Sequence, residues 1–463
     1  MIRFLLAYKH LLLQISLSLL LGVFLTLLKI PTVFLLGLHT YIHPDNVARD
    51  GGNGVRAAIR RPSGSDSSSS LEGYKNMTSN SKVEVKRRSK TKDKFEFDEN
   101  NAQIFRLKLD EAHIESRLYF DQYRYCFIYS IVAAFCQLCY YYLDVGADSG
   151  VFVNGSLIPV ILGFVGLGKL FISLARVSFE NSASRRSEKQ LSMLFGVLGF
   201  LFGVLILNGI VPGIFDFDFG LIDGFVRVVV SILMGCIAGF LYIPAAKSAR
   251  AFWLGTDQIR SNLGMISCGW FGRIIVYTNY LLIVVSALLW INPFIKILVI
   301  KDRNDPGGAH LISSEVDAQK LVGNVGWSQS EFTKLRVCCL LVSSFLQIMA
   351  LRPNVQMYLN EALLSWYQRL HASKVPDLEF SRAKVFLHNH YLCMVALQFF
   401  ALPVLVLLFV GLSQIDGNSF KSFHLMCDFK EVALFMAWWI VFVWAVFTSV
   451  TLFLYRRGIV YVS

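Results

Sequence analysis

Lys169 stands near the middle of a long apolar run, where a charged side chain is costly and is kept only if something pairs or hydrates it. Two chemistries suit a lysine at that depth: a buried structural ion pair, or a transport site on a hydrated path near the midplane. Arg176, seven residues on, shares its helical face but lies close enough to the end of the run to snorkel to the interface. Asp223 and Arg227 are four apart, a spacing that allows pairing within one helix. Arg273, near the start of the following run, reads as interfacial. Gln137, Asn208, Asn279, Gln347 and Gln398 also fall within apolar runs, where amides ordinarily hydrogen-bond between helices. Gly199/Gly203 and Gly235/Gly239 have the spacing that lets two helices approach closely.

Patterns that would make the chain an enzyme fail one by one. Gly163, Gly168 and Lys169 spell G-x-x-x-x-G-K, but Leu170 replaces the hydroxyl residue that would hold magnesium, and the stretch is apolar throughout. His388 and His390 are two apart, so on a helix they point to different faces. Cys136 and Cys139 form a C-x-x-C inside an apolar run without a second pair, which supports neither zinc nor redox chemistry. Intramembrane Gly-x-Ser-Gly and Gly-x-Gly-Asp sites are missing, and Tyr142-Leu143-Asp144 does not substitute for the latter. The expectation is a chain without catalytic residues, cofactor or metal.

The elements that hold these residues follow from composition. The 463 residues are 55% hydrophobic, 14% aromatic and only 16% charged, where soluble domains run near a quarter charged. Unbroken apolar runs exclude alternating barrel strands, leaving a polytopic helical bundle, since lipid tolerates only helices or closed barrels. Nine runs approach the ~20 residues a bilayer requires: 11–28, 125–143, 157–179, 191–212, 221–243, 271–292, 335–351, 386–412 and 431–454. The first is followed by Pro31 and a short apolar piece, Thr32 to Leu38, which makes a bent or re-entrant first element an alternative and eight spans the corresponding count. Loops alternate in charge. Asp144/Asp148 and Asp216/Asp218 lie on one side; Arg185/Arg186/Lys189, Lys247/Arg250/Arg260, the basic 352–385 loop and Arg456/Arg457 lie on the other. The basic side should be cytosolic, which puts the N-terminus of a nine-span chain outside, against the preference of Arg3 and Lys9. The net charge of +12 then reads as membrane orientation and attraction to anionic headgroups rather than as a nucleic-acid footprint.

Residues 45–103 are different material, rich in Gly, Ser and Lys/Arg, with too few apolar side chains to offset ordering entropy. They read as a disordered, basic and Ser-rich cytosolic loop, between an N-terminal anchor or re-entrant element (1–44) and a membrane domain (104–463). Leu107, Ile114 and Leu118 predict an interfacial helix over Ile104 to Tyr125; Val355, Tyr358, Leu359 and Ala362 predict an amphipathic helix over Asn354 to Leu370, packed on the bundle base. The sequons at Asn76 and Asn154 are poorly placed for glycosylation, the first on the cytosolic side and the second almost touching the membrane.

Several stretches carry a resemblance in the right order: Gly37-Leu-His-Thr-Tyr-Ile-His43-Pro44; Tyr140-Tyr141-Tyr142; Lys169, Phe171, Arg176 and Phe179; Arg227, Gly235, Gly239, Pro244 and Arg250; Arg352-Pro353-Asn-Val-Gln356-Met-Tyr358-Leu359; and Leu397-Gln398 with Pro403. Together they resemble the eukaryotic transmembrane protein 161 family, with a loop and last two spans that depart from the animal pattern, as in a divergent, non-animal member. The resemblance implies a multi-pass membrane protein with no established enzymatic activity or cofactor, whose animal members are linked to ion currents and excitability. It adds weight to Lys169, Arg176, Arg227 and Arg352. The expectation is an all-α polytopic bundle that modulates ion transport or partner membrane proteins, in the endomembrane system or plasma membrane. Arg352, Gln356 and Tyr358 form its candidate docking surface, and the bilayer, anionic headgroups and other membrane proteins are its partners. The alternative is a transporter or channel with a hydrated path near Lys169.

Overall fold

Leu392–Ser413 (α12) is apolar on every side, so it must be enclosed on every side by protein or lipid. The computed structural model encloses it in protein: apart from Gly411, all its residues are buried. The described residues are 8–43, 56–59, 104–142, 157–180, 186–209, 215–217, 219, 222–256, 269–298, 329–372, 378–415 and 429–460. Around α12 stand Phe120–Tyr142 (α4), Leu157–Phe179 (α5), Gln329–Ala372 (α10) and Phe429–Arg456 (α13). An outer layer adds Lys9–Leu27 (α1), Arg186–Leu207 (α6), Gly224–Thr256 (α7) and Trp270–Leu288 (α8).

Eight helices among the described residues are long and apolar enough to cross a membrane. They include α1, with 19 residues. It ends at Lys29, whose φ of 50° turns the chain into the short helix Ile30–Leu35 (α2). Less apolar than these, α4 has 23 residues and packs beside α5 and α12. The 335–351 run extends in the structure into one 44-residue helix, α10, which continues through Pro353 and carries the amphipathic 354–370 stretch at its end. Conversely, the 386–412 run is two helices, Glu379–His390 (α11) and α12, separated at Tyr391.

Close approach is set by glycine. A Cβ on Gly235 in α7 would lie 2.8 Å from the Gly196 carbonyl and 2.9 Å from Phe200 Cβ in α6, so no larger residue fits between these backbones. Ser192 adds a 2.7 Å hydrogen bond from Oγ to the Gly239 carbonyl. The Gln137 amide occupies the space that side chains on Gly163 and Gly411 would fill, joining α4, α5 and α12. The apparent phosphate-loop glycine Gly163 is thus explained by packing. On α13, Trp438 and Trp439 donate their indole N–H groups to the carbonyls of Ala287 in α8 (3.0 Å) and Met234 in α7 (3.2 Å).

The helix expected over Ile104 to Tyr125 is a correction. Ile104–Lys108 is a strand (β3), Glu111–Glu115 a short helix (α3), and Tyr119 takes φ 66° before α4 begins. Leu107 and Ile114 are buried but Leu118 is exposed, so the three do not share one helical face. β3 is the middle of a three-stranded antiparallel sheet, with His39–Ile42 (β1) on one side and Arg56–Ile59 (β2) on the other. Thus part of the 45–103 segment is strand; its remainder, the basic run and both sequons lie outside the described residues. The strand had no sequence signal of its own strength, because its register depends on partners over 60 residues away.

Replacing Gly235 with leucine should force α6 and α7 apart and cost about 1–3 kcal/mol. The expected outcome is a lower unfolding temperature of the purified protein in detergent, whereas alanine at Gly168, which faces open space, should leave it unchanged.

Candidate functional site

Charged residues on four helices, joined by Gln398 of α12 and Tyr455 of α13, converge at one end of the bundle. Glu361, on the amphipathic end of α10 and 6% exposed, is the centre. Its Oε1 lies 3.2 Å from Arg250 Nη1 on α7 and 3.2 Å from Lys384 Nζ on α11, and Oε2 lies 4.0 Å from His388 Nε2. Arg250 extends the cluster, donating from Nε to Tyr455 Oη on α13 (3.1 Å) and reaching Glu188 on α6 at 3.5 Å. Lys247, one turn before Arg250, donates to Gln398 Oε1 on α12 at 3.0 Å. His388 Nδ1 lies 2.8 Å from the Lys384 carbonyl, where it can only donate, and the ring stacks on Tyr358 with centroids 4.4 Å apart. All these groups come from helix ends that the loop charges assign to the basic side.

Beside the cluster, the same helix grips the sheet. Gln356 uses both ends of its amide on one residue, accepting from the His39 N–H (2.8 Å) and donating to the His39 carbonyl (3.0 Å). One turn on, Asn360 accepts from Tyr41 Oη at 2.9 Å, and Asn389 of α11 donates to the Tyr41 carbonyl at 2.7 Å. Burial pushes the Tyr41 phenol up to about 12. Burial, with Arg106, Lys108 and Arg352 nearby, lowers the His39 imidazole below its ordinary value. At the start of α4, burial and the bond to Glu180 push Tyr119 up to about 12.

The residues singled out from the sequence meet different fates. Lys169 is exposed on the outside of the bundle, 5.9 Å above the Tyr129 ring, and does not line the interior; Arg176 is exposed on the same helix. The expected Asp223–Arg227 pair is not formed. Asp223 lies exposed just before α7, and Arg227 donates instead to the carbonyls of Ile222 (2.9 Å) and Phe219 (3.1 Å). The guanidinium thereby satisfies backbone carbonyls of the segment that leads into the helix. Gln356 and Tyr358 are engaged within the chain, by β1 and by His388, while Arg352 stays exposed. Among the described residues no group of three or more His, Cys, Asp or Glu is placed to hold a metal.

Sequence reasoning missed Glu361 entirely and saw Arg250 only as a loop charge and a match to the family pattern. Glu361 did carry a signal, a carboxylate among the apolar positions Tyr358, Leu359 and Ala362. Arg336 was missed too. It is 3% exposed at the opposite end, 2.7 Å from Asp216 Oδ2 and stacked over Trp290 and Phe332.

Comparison with protein families matches residues 215–422 to the family described as predicted transmembrane protein 161AB. Over these residues the chain is similar to the transmembrane protein 161 family. The match covers a little under half of the chain but includes α7, α8, the short helix Asn292–Leu298 (α9) and α10 to α12, and with them Arg250, Gln356, Glu361, Lys384 and His388. No curated protein and no solved structure matches the chain. Family and architecture together make it an integral, multi-pass membrane protein.

Replacing Glu361 with glutamine should leave Arg250 and Lys384 without their shared carboxylate and cost about 3–5 kcal/mol. Glu188→Gln, at a half-exposed pair, should cost less than about 1 kcal/mol. Thermal unfolding of both variants in detergent checks the difference. A pH series checks His39. Because its folded pKa lies below the unfolded value near 6.5, its contribution is complete above that pH and is lost as pH falls. The wild type should therefore lose more stability than His39→Gln between pH 7.5 and 5.5.

Proposed function

We propose that this chain is a non-enzymatic membrane protein that modulates ion transport or partner membrane proteins, rather than conducting or catalysing. The observation that carries this reading is the filled axis: α12 runs through the bundle with its side chains buried, in the position a central path would occupy. The cleft lined by Asn279, Asn354, Trp444 and Thr448 holds about 20 Å³, room for about one water. Lys169, the residue on which a conducting path would depend, sits on the outer surface. Ion pairs around a buried charge at each end of α10 fit a rigid scaffold: Arg336 with Asp216 at one, Glu361 with Arg250 and Lys384 at the other. The family resemblance points to ion currents without supplying a transport site.

Purified protein in liposomes should show no flux of sodium, potassium, chloride or protons above empty vesicles, with Lys169→Leu indistinguishable from wild type. Flux that disappears in a folded Lys169→Leu variant would overturn the proposal in favour of a transporter or channel.

A further inference from the structure

Three basic side chains gather where the N-terminal strand meets the long helix. Gly37, at φ 75°, makes the turn from α2 into β1, and a Cβ there would lie 3.3 Å from Lys108 Cε and 3.4 Å from Arg352 Nη2. The two side chains are therefore within ~7 Å of each other across the turn. Arg106 precedes Lys108 by two on β3, hence on the same face, and the register sets Arg106 opposite Tyr41 and Lys108 opposite His39. All three cations act on His39, which places their charges around one point.

Among the described residues these cations have no carboxylate. None of the three is in an ion pair among the described residues, and the Arg106 Nε is buried without a hydrogen-bond partner. The acids that follow β3 do not neutralise them: Glu111 and Glu115 are held by Lys29, and Asp110 alone leaves the site positive. Like charges held together by a strand, a turn and a helix repel one another, a cost that an anion would relieve.

Their depth says what kind of anion. No charged residue separates Arg336 from Arg352 on α10, and the 16-residue interval spans about 24 Å of helix. Arg336 is anchored at one end of that apolar stretch, so Arg352 marks its other boundary, close to the hydrocarbon thickness of a bilayer. Gly37 reaches the same level by following α1 and α2 out of the membrane.

We propose that Arg106, Lys108 and Arg352 form a binding site for an anionic lipid headgroup, one with a net negative charge, in the leaflet at the basic end of the bundle. The headgroup would sit over the Gly37 turn, tying β1 to α10 from outside as Gln356 ties them from within. This goes beyond the modulatory role and depends only on the membrane placement of the chain, so loss of either leaves the other standing.

The test is lipid retention by the full chain, read by native mass spectrometry from detergent supplemented with equal phosphatidylserine and phosphatidylcholine. The wild type should retain phosphatidylserine in excess. Lys108→Gln with Arg352→Gln, both exposed positions that should not disturb folding, should reduce that excess roughly tenfold or more. Arg456→Gln, which removes an exposed base at the same end on α13, should leave it unchanged. Equal retention by the double variant, checked to unfold at the wild-type temperature, would overturn the site. An equal loss in Arg456→Gln would also overturn it, by showing general surface attraction. Displacement of the lipid by millimolar inorganic phosphate would reassign the site to a free anion.

Discussion

A helix with no polar face cannot define its own orientation, so α12 makes every neighbour's placement a packing problem. Its burial requires four helices around it, and those helices in turn present large apolar side chains outward, among them Phe164, Phe345 and Phe453. In a bilayer there is little hydrophobic drive for helices to leave lipid for one another, so the enclosure must rest on close packing and hydrogen bonds. That is where the small residues and amides act. Gly163 and Gly411 leave room for Gln137, Gly196 and Gly235 let α6 touch α7, and two tryptophans donate across to neighbouring backbones.

Packing alone would allow the outer helices to slide, and the charged ends restrict that freedom. Burying Glu361 carries a desolvation penalty that is offset only while Arg250 and Lys384 both face it, which makes the relative positions of α7, α10 and α11 interdependent. The opposite end uses a different device, an arginine sandwiched between aromatic rings and one aspartate. α10 takes part in both, so it acts as the strut that sets the separation of the two ends.

The N-terminal strand belongs to the same logic. Gln356 satisfies both backbone groups of His39, so the strand edge facing α10 is closed without another strand. A surface that looked free to receive a partner is therefore partly occupied by the chain itself. What stays available there is charge rather than apolar area, and Arg352 is the residue through which both families of observations, sequence resemblance and exposure, pass.

Spans were readable because a bilayer demands about 20 apolar residues in a row, and that demand is local: 157–179 coincides with α5, and 431–454 falls within Phe429–Arg456. Loop charge sorted the ends for the same reason. Boundaries failed where the decision was not local. The 386–412 run breaks at Tyr391, and 335–351 continues for another five turns, because neighbours rather than composition settle where a helix stops. The intramembrane charges show the limit most clearly. Lys169 and Glu361 are both ionisable residues amid apolar ones, but one points out and the other into a cluster. The partners that make Glu361 tolerable lie 111 residues back and 23 residues on, and a carboxylate acquires a counter-ion only when the chain has folded. Chain composition determined the solvent and where the apolar runs lie; tertiary contact decided which charges are paired, because pairing energy depends on distance in space and not on separation along the chain.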